Sequence, residues 1–322
     1  MKKIAGFITR HFSLVLILCL CIGLIFQEFS MLISPYIKYP LIGVMFLGFL
    51  NIDLSILKKE IKRIDLQIGL LVFANIVLPI ILYTVTLQSM RLFNLNPHWA
   101  YGALILYASP TGALCPALCI LLNGNPERAT INLILTTVTV PFSLPFLVNL
   151  FIPISANFKL DNLVADLLII VFIPLVMAVF AKLFFRKFTT SIVPHLAPIS
   201  ILLIGAVVIG AVSGLTIVIL ENPIIAIKGT IISSILISAA FILGWFFAIG
   251  GTNKDRMTLS IFSSWPNVGL TIVIASDYFK KEFMIAWIFV VLSEITWNTA
   301  FIPAQKWSTY LKNKSLEKTD GE

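Results

Sequence analysis

Few residues of this chain could do chemistry away from water, and they fall in four short stretches. SPTGALCPALC (109–119) and FSSWPNVGL (262–270) mix prolines with small polar side chains. LTTVTVPFSLP (135–145), with Asn132 just before it, is rich in hydroxyls, and VVLSEITWN (290–298) holds one carboxylate, Glu294. Asn298, four residues on, shares its helical face. Each stretch lies inside a long run with little or no charge. Pro110, Pro116 and Pro266 each remove an N–H and crowd the preceding turn. Helices broken there leave peptide groups that, in hydrocarbon, only protein or a water-filled cavity can satisfy, at several kcal/mol apiece. Half-helix N-termini then favour anions and freed carbonyls favour cations. The chemistry on offer is reversible binding of ions and polar solutes. Ser109, Gly112, Cys115, Ser263, Ser264 and Asn267 are the candidate substrate contacts. Glu294, a carboxylate near the centre of an apolar span, is a candidate for holding a coupling proton or one cation, or else is a hydrogen-bonded structural acid.

Those stretches need elements that hold them at depth. The chain has 322 residues, 59% hydrophobic and 12% charged, with mean hydropathy +1.00, far more apolar than a soluble domain. Uncharged runs at 11–27, 66–90, 92–126, 129–158, 188–220, 229–253 and 257–276 are mostly long enough to cross a bilayer. Three weaker spans, 36–55, 162–182 and 283–305, bring the expected number to ten helices. Continuous apolar runs exclude a β-barrel, whose strands alternate. Most of the 23 Lys and Arg then fall on the side holding both termini, including the loop KKEIKR (58–63), so both termini are expected in the cytoplasm. The net charge of +8 reports orientation and does not point to nucleic acid. The start, MKKIAGFITRHFSLVLILCLCIGLIF, lacks a small-residue cleavage site and reads as a retained first helix. Cys19, Cys21, Cys115 and Cys119 lie in spans and give no disulfide framework. His11, His98 and His195 sit at span edges, and no zinc spacing, phosphate loop or dinucleotide fingerprint is present. Trp99 and Trp307, near span ends, read as interfacial anchors.

Pro116 and Pro266 stand at matching positions of the fourth and ninth spans. The spacing predicts two five-helix repeats, 1–158 and 159–311, followed by a polar, frayed cytoplasmic tail, 312–322. An odd number of helices per repeat inverts the second copy, an arrangement common among secondary transporters. Spans four and nine would be broken helices crossing near the midplane.

With these motifs the chain resembles the bile acid:sodium symporter family and its wider bile/arsenite/riboflavin transporter superfamily. The family's first crossover reads roughly Pro-Gly-Gly-Thr-Ala-Ser-Asn, and PTGALCP keeps Pro110 and Gly112. Its second reads roughly Glu-x-Gly-x-Gln-Asn-x-Gly-Leu, and FSSWPNVGL keeps Asn267, Gly269 and Leu270. The resemblance implies ten helices in a panel and a core domain, a substrate site at the crossing and a sodium couple. It also implies Thr136 of span five as a coupling-ion residue, with Asn132 four residues earlier in place of the family's Ser; Glu294 and Asn298, on one helix face, are the coupling-ion candidates that the intramembrane acid itself suggests. The chain departs from the family at the sodium ligands: Cys115, Pro116, Phe262 and Pro266 replace its Ser, Asn, Glu and Gln. The coupling ion is therefore Na+ or H+. Beside that role, Asn132, Thr136, Thr137, Thr139 and Ser143 have the alternative of bonding to their own helix.

The function expected is secondary-active transport of a small organic anion, a carboxylate or sulfonate, by alternating access across a bacterial cytoplasmic (inner) membrane. No cofactor, no certain metal site and no enzyme activity are expected, since Glu294 has neither a paired acid nor an intramembrane His. Two alternatives stay open. Cys115 and Cys119 also resemble the arsenite-efflux branch of the superfamily, although Gly269 stands where that branch has Glu, and an intramembrane enzyme is the other. Trp265, at the second break, either packs on substrate or plugs the crossing.

Overall fold

The computed structural model describes residues 6–9, 11–52, 64–155, 158–248 and 251–319. The basic loop 58–63, together with Lys2, Lys3 and Arg10 of the charge argument, lies outside the described residues. The chain is an all-helical, polytopic membrane protein. Its elements are α1 (Phe12–Ile25), α2 (Gln27–Ile33), α3 (Lys38–Leu50), α4 (Ile64–Val72) running through a π turn into α5 (Leu78–Leu92), α6 (His98–Tyr107), α7 (Cys115–Leu121) and α8 (Pro126–Phe151). There follow α9 (Leu160–Phe184), α10 (Arg186–Ile192), α11 (Leu196–Ala211), α12 (Leu215–Glu221), α13 (Pro223–Phe247), α14 (Asn253–Ser264), α15 (Val268–Ile274), a π turn Ala275–Phe279, and α16 (Met284–Thr319).

Among the described residues four helices are long and apolar enough to cross a membrane, or up to six if each bent pair forms one span. Several of the other expected spans fall short of that length for visible reasons. The 36–55 run supplies only the 13 residues of α3, and the fourth and ninth runs are each cut in two. The first apolar run also bends, by 106° after α1. The tail read as frayed continues α16 to Thr319, consistent with the helix-forming Lys, Leu and Glu it contains.

The helices sort into two groups. In the first, α11 packs on α1, α2 and α3, and α3 packs on α9. In the second, α13 packs on α14 and α16, α6 on α5 and α16, and α8 on α7. The groups meet where α15 touches α3 and α11, and along α8 and α9. The resemblance leads one to expect a division of this kind, into a panel and a core. Outward-facing Phe142, Phe146, Val176 and Ile235 are exposed, as a lipid-facing surface requires.

Proline alone does not decide where a helix breaks. Pro141 and Pro145 lie inside unbroken α8, and Pro174 inside α9. Pro116 is likewise accommodated, as the second residue of α7, where the missing N–H has no partner to lose. The break in the fourth run lies at Pro110 and Thr111, and Thr111 is the residue opposite Pro266, so the expected pairing of Pro116 with Pro266 is corrected: Pro116 sits in the first turn of α7, past the break.

Candidate functional site

The breaks are joined peptide to peptide. Thr111 and Pro266 form an isolated antiparallel bridge. The Gly112 N–H donates to the Trp265 carbonyl at 2.8 Å, and the Asn267 N–H to the Pro110 carbonyl at 2.7 Å. Each interrupted helix thus supplies the backbone partners that the other has lost, so neither break leaves those groups bare in hydrocarbon. Side chains brace the join. Thr271 Oγ1 lies 2.7 Å from Ser109 Oγ and 2.8 Å from the Asn267 carbonyl. The Thr111 N–H donates to Thr136 Oγ1 at 3.1 Å, Cys115 Sγ sits 3.4 Å from the Trp265 carbonyl, and Asn267 Oδ1 caps α15 through Leu270 N–H at 3.1 Å. The N-terminal ends of α7 and α15 both start at the crossing.

Beside the join lies a cavity of about 50 Å³. Leu16 of α1, Leu41 and Val44 of α3, and Ile204 and Val207 of α11 form its apolar wall, all from the first group. The second group presents Gly112, Pro266, Asn267, Gly269, Glu294 and Trp297. Among the described residues no Lys, Arg or His lines it. Glu294 is 6% exposed, at the α16 edge of the same space. Asn267 Nδ2 and Trp297 Nε1 are buried N–H groups without a hydrogen-bond partner.

Of the six candidate substrate contacts, Gly112 and Asn267 line this cavity. Ser263 and Ser264 do not: their hydroxyls donate to the Leu259 and Ser260 carbonyls at 2.7 and 2.6 Å, one turn back in α14. Ser109 does the same with Ile105 at 3.0 Å, and Cys115 is fully buried behind the join. These four support the crossing and do not line the cavity: the three serines bond to their own helices, as a short polar side chain in hydrocarbon readily does, and Cys115 is held against the Trp265 carbonyl. Cys119 too is fully buried.

Among the coupling-ion candidates, Glu294 reaches the cavity and Asn132 does not. Asn132 is 1% exposed with neither side-chain polar atom partnered, while Thr136 Oγ1 is engaged with the Thr111 N–H and the Asn132 carbonyl. The side chain of Asn298 lies outside the described residues. Around the family's sodium positions the donors are poor for a hard cation, which takes several oxygen ligands. Cys115 offers sulfur, Pro116 and Pro266 offer no side-chain donor, and Phe262 packs with Leu70, Ala74 and Leu259 in an apolar cluster. The residues present do not fit a family-type pair of sodium sites.

Trp265 is 1% exposed, edge-on between Phe241 and Trp297 at 6.3 and 6.0 Å. Trp99 is no interfacial anchor: it is 3% exposed and packs edge-on against Phe289. Trp297 and Thr271 escaped the sequence reading. Trp297 had a usable signal, one turn after Glu294 on the same helix.

Comparison with known proteins now bears on this site. A family model described as the Sodium Bile acid symporter family matches residues 38–222, covering the first break and not the second. A curated relative from Bacillus subtilis (strain 168), "Uncharacterized sodium-dependent transporter YocS", is 23% identical over 286 residues, 87% of this chain and 85% of that one.

Proposed function

The chain belongs to the sodium bile acid symporter family, and from that premise we propose that it moves a small organic anion across a bacterial cytoplasmic membrane by alternating access, with a proton on Glu294 as the coupled ion. The observation that carries the proposal is the cavity at the crossing. One of its walls belongs to each helix group, so sliding one group against the other carries its contents from one face to the other.

The donor chemistry favours an anion. Asn267 Nδ2 and Trp297 Nε1 are N–H groups lacking acceptors, and two half-helix N-termini add positive potential without a buried cation. Apolar walls suit a carboxylate or sulfonate with a short hydrocarbon body. An ionised Glu294 in the same small space would repel such a solute, since at low dielectric neighbouring like charges strongly disfavour each other. Binding the anion therefore favours the protonated acid, and the two travel together. The curated relative carries sodium dependence in its name, but the poor oxygen set here supports the proton. The burial of both crossing thiols, Cys115 and Cys119, favours an organic anion over a metalloid.

Proteoliposome uptake of labelled short-chain monocarboxylates, with proton and sodium gradients imposed separately, tests this reading. A proton gradient should drive accumulation and a sodium gradient should not. Glu294→Gln should lose the gradient-driven component by tenfold or more, roughly the 1.4 kcal/mol of one lost decade, while keeping solute exchange. Accumulation driven by sodium alone and unchanged in Glu294→Gln refutes it.

A further inference from the structure

One end of the seam between the helix groups is closed by charges. Lys38, the first residue of α3, places Nζ 2.7 Å from Asp166 Oδ2 of α9 and 3.1 Å from Asp277 Oδ2 in the turn after α15. Tyr278 donates its hydroxyl to the same Asp166 oxygen. Lys280 donates to the Ser213 carbonyl, just past α11, at 2.6 Å, and its ammonium lies 4.5 Å from the centre of the Trp287 ring. Glu282 accepts from the Ser155 N–H at 3.0 Å. Phe158 packs on Tyr278 and Phe279, ring centres 6.1 and 5.4 Å away. The short segment 277–282 thus ties the second group to α3, α9 and α11 of the first.

The other end is built differently. There the Arg128–Asp255 ion pair joins α8 to α14 inside the second group, and Lys182 donates to the Ile52 carbonyl inside the first. A cavity of about 10 Å³ shares Val44, Ala113 and Asn267 with the crossing cavity and continues along α3 to Gly48, Phe49 and Ile52. The space beside the crossing therefore extends toward the face where α16 ends and α1 begins, away from the charges.

The geometry points to a releasable latch: Lys38, Asp166, Asp277 and Tyr278 clamp the two helix groups together at the face remote from the termini, and the crossing cavity reaches that face only when the clamp parts. This deepens the transport reading, because alternating access needs a closure that opens. Ions suit the task. The three charged side chains are 29–36% exposed, so water can take up each charge when the pairs separate, and partly solvated pairs of this kind are individually weak. An apolar seam of the same area would cost far more to open into water.

The test needs no solute. Gly269 lines the crossing cavity, and a Cβ added there meets nothing nearer than 3.6 Å, so Gly269→Cys supplies a reporter thiol. The chain with Gly269 retained gives the background. A membrane-impermeant maleimide is applied to each face of sealed vesicles in turn. With the latch intact, the thiol should label from the face of the termini. Lys38→Ala leaves two carboxylates confronting each other and should raise labelling from the remote face about tenfold. Asp277→Asn combined with Tyr278→Phe, which weakens the clamp without repulsion, should raise it about threefold. Gel filtration establishes that each variant is folded, and the second variant decides the matter if the first is not. Remote-face labelling at the parent level in a folded variant overturns the latch, as does strong remote-face labelling of the parent. A latch that opens as expected in a protein that carries no organic anion would refute the transport reading alone.

Discussion

Replacing Gly112 by alanine tests the crossing where it has least room. A Cβ at this position would lie 3.0 Å from the Trp265 carbonyl oxygen and 3.1 Å from that of Pro266, inside the roughly 3.3–3.6 Å at which carbon and carbonyl oxygen rest. Both obstacles are backbone, and the first already accepts the 2.8 Å bond from Gly112 itself. The two breaks must move apart by a few tenths of an ångström. Overpacking of this kind costs about 1–3 kcal/mol, and each of the two bridge hydrogen bonds, if weakened, about 1 kcal/mol more. Gly112 has no positive φ, so alanine returns about 0.4–1 kcal/mol by restricting the unfolded chain. The net expectation is a loss of about 2–3 kcal/mol, or roughly 5 °C in Tm for a chain of this size. Gly48, within α3, has nothing within 4 Å of an added Cβ, so Gly48→Ala should be neutral or gain up to about 1 kcal/mol. Thermal unfolding followed by intrinsic fluorescence in one detergent, on parent and both variants, reads the difference. A Gly112→Ala protein melting within 1 °C of the parent, roughly 0.5 kcal/mol, would show that the breaks do not approach as described.

Three further substitutions probe the same region. Ser109→Ala and Thr271→Val should each cost about 1 kcal/mol, and the double variant should cost less than their sum by about 0.5–1 kcal/mol; additive losses would mean that the two hydroxyls do not touch. Asn132→Leu replaces a buried amide lacking partners with an apolar group of similar size, so stability should hold or rise by about 1 kcal/mol. A fall of more than about 1 kcal/mol in that melt would mean that the amide is satisfied.

Which parts of this structure could be read from the chain follows from what each residue type constrains. The apolar, all-helical character was legible because lipid demands apolar length, and the two breaks could be suspected because proline weakens a helix at depth, although Pro141, Pro145 and Pro174 sit inside continuous helices. The register of the breaks was not legible. Proline fits both after a helix has ended and within the first turn of the next, so Pro116 and Pro110 compete for one role until the backbone partners are seen. Ser263 and Ser264 suggested donors for a ligand, yet a hydroxyl one turn from a carbonyl satisfies itself. Trp99 near a span end does not declare which way its ring faces. Leu16, Leu41, Val44, Ile204 and Val207 could not be picked out as a cavity wall in a chain where most residues are apolar. The charges at 38, 166 and 277 sit at span ends, where they look like orientation signals. Only tertiary packing brings them to one point.

The bond between Gly112 and Trp265 and that between Asn267 and Pro110 run through main-chain atoms, which no substitution deletes except one to proline. The join therefore does not hang on any single side chain, although several brace it. A lineage can exchange acid for phenyl at position 262, or amide for proline at 116, and still inherit the same architecture. Its transported cargo and driving force can then diverge while the machine that moves them stays in place.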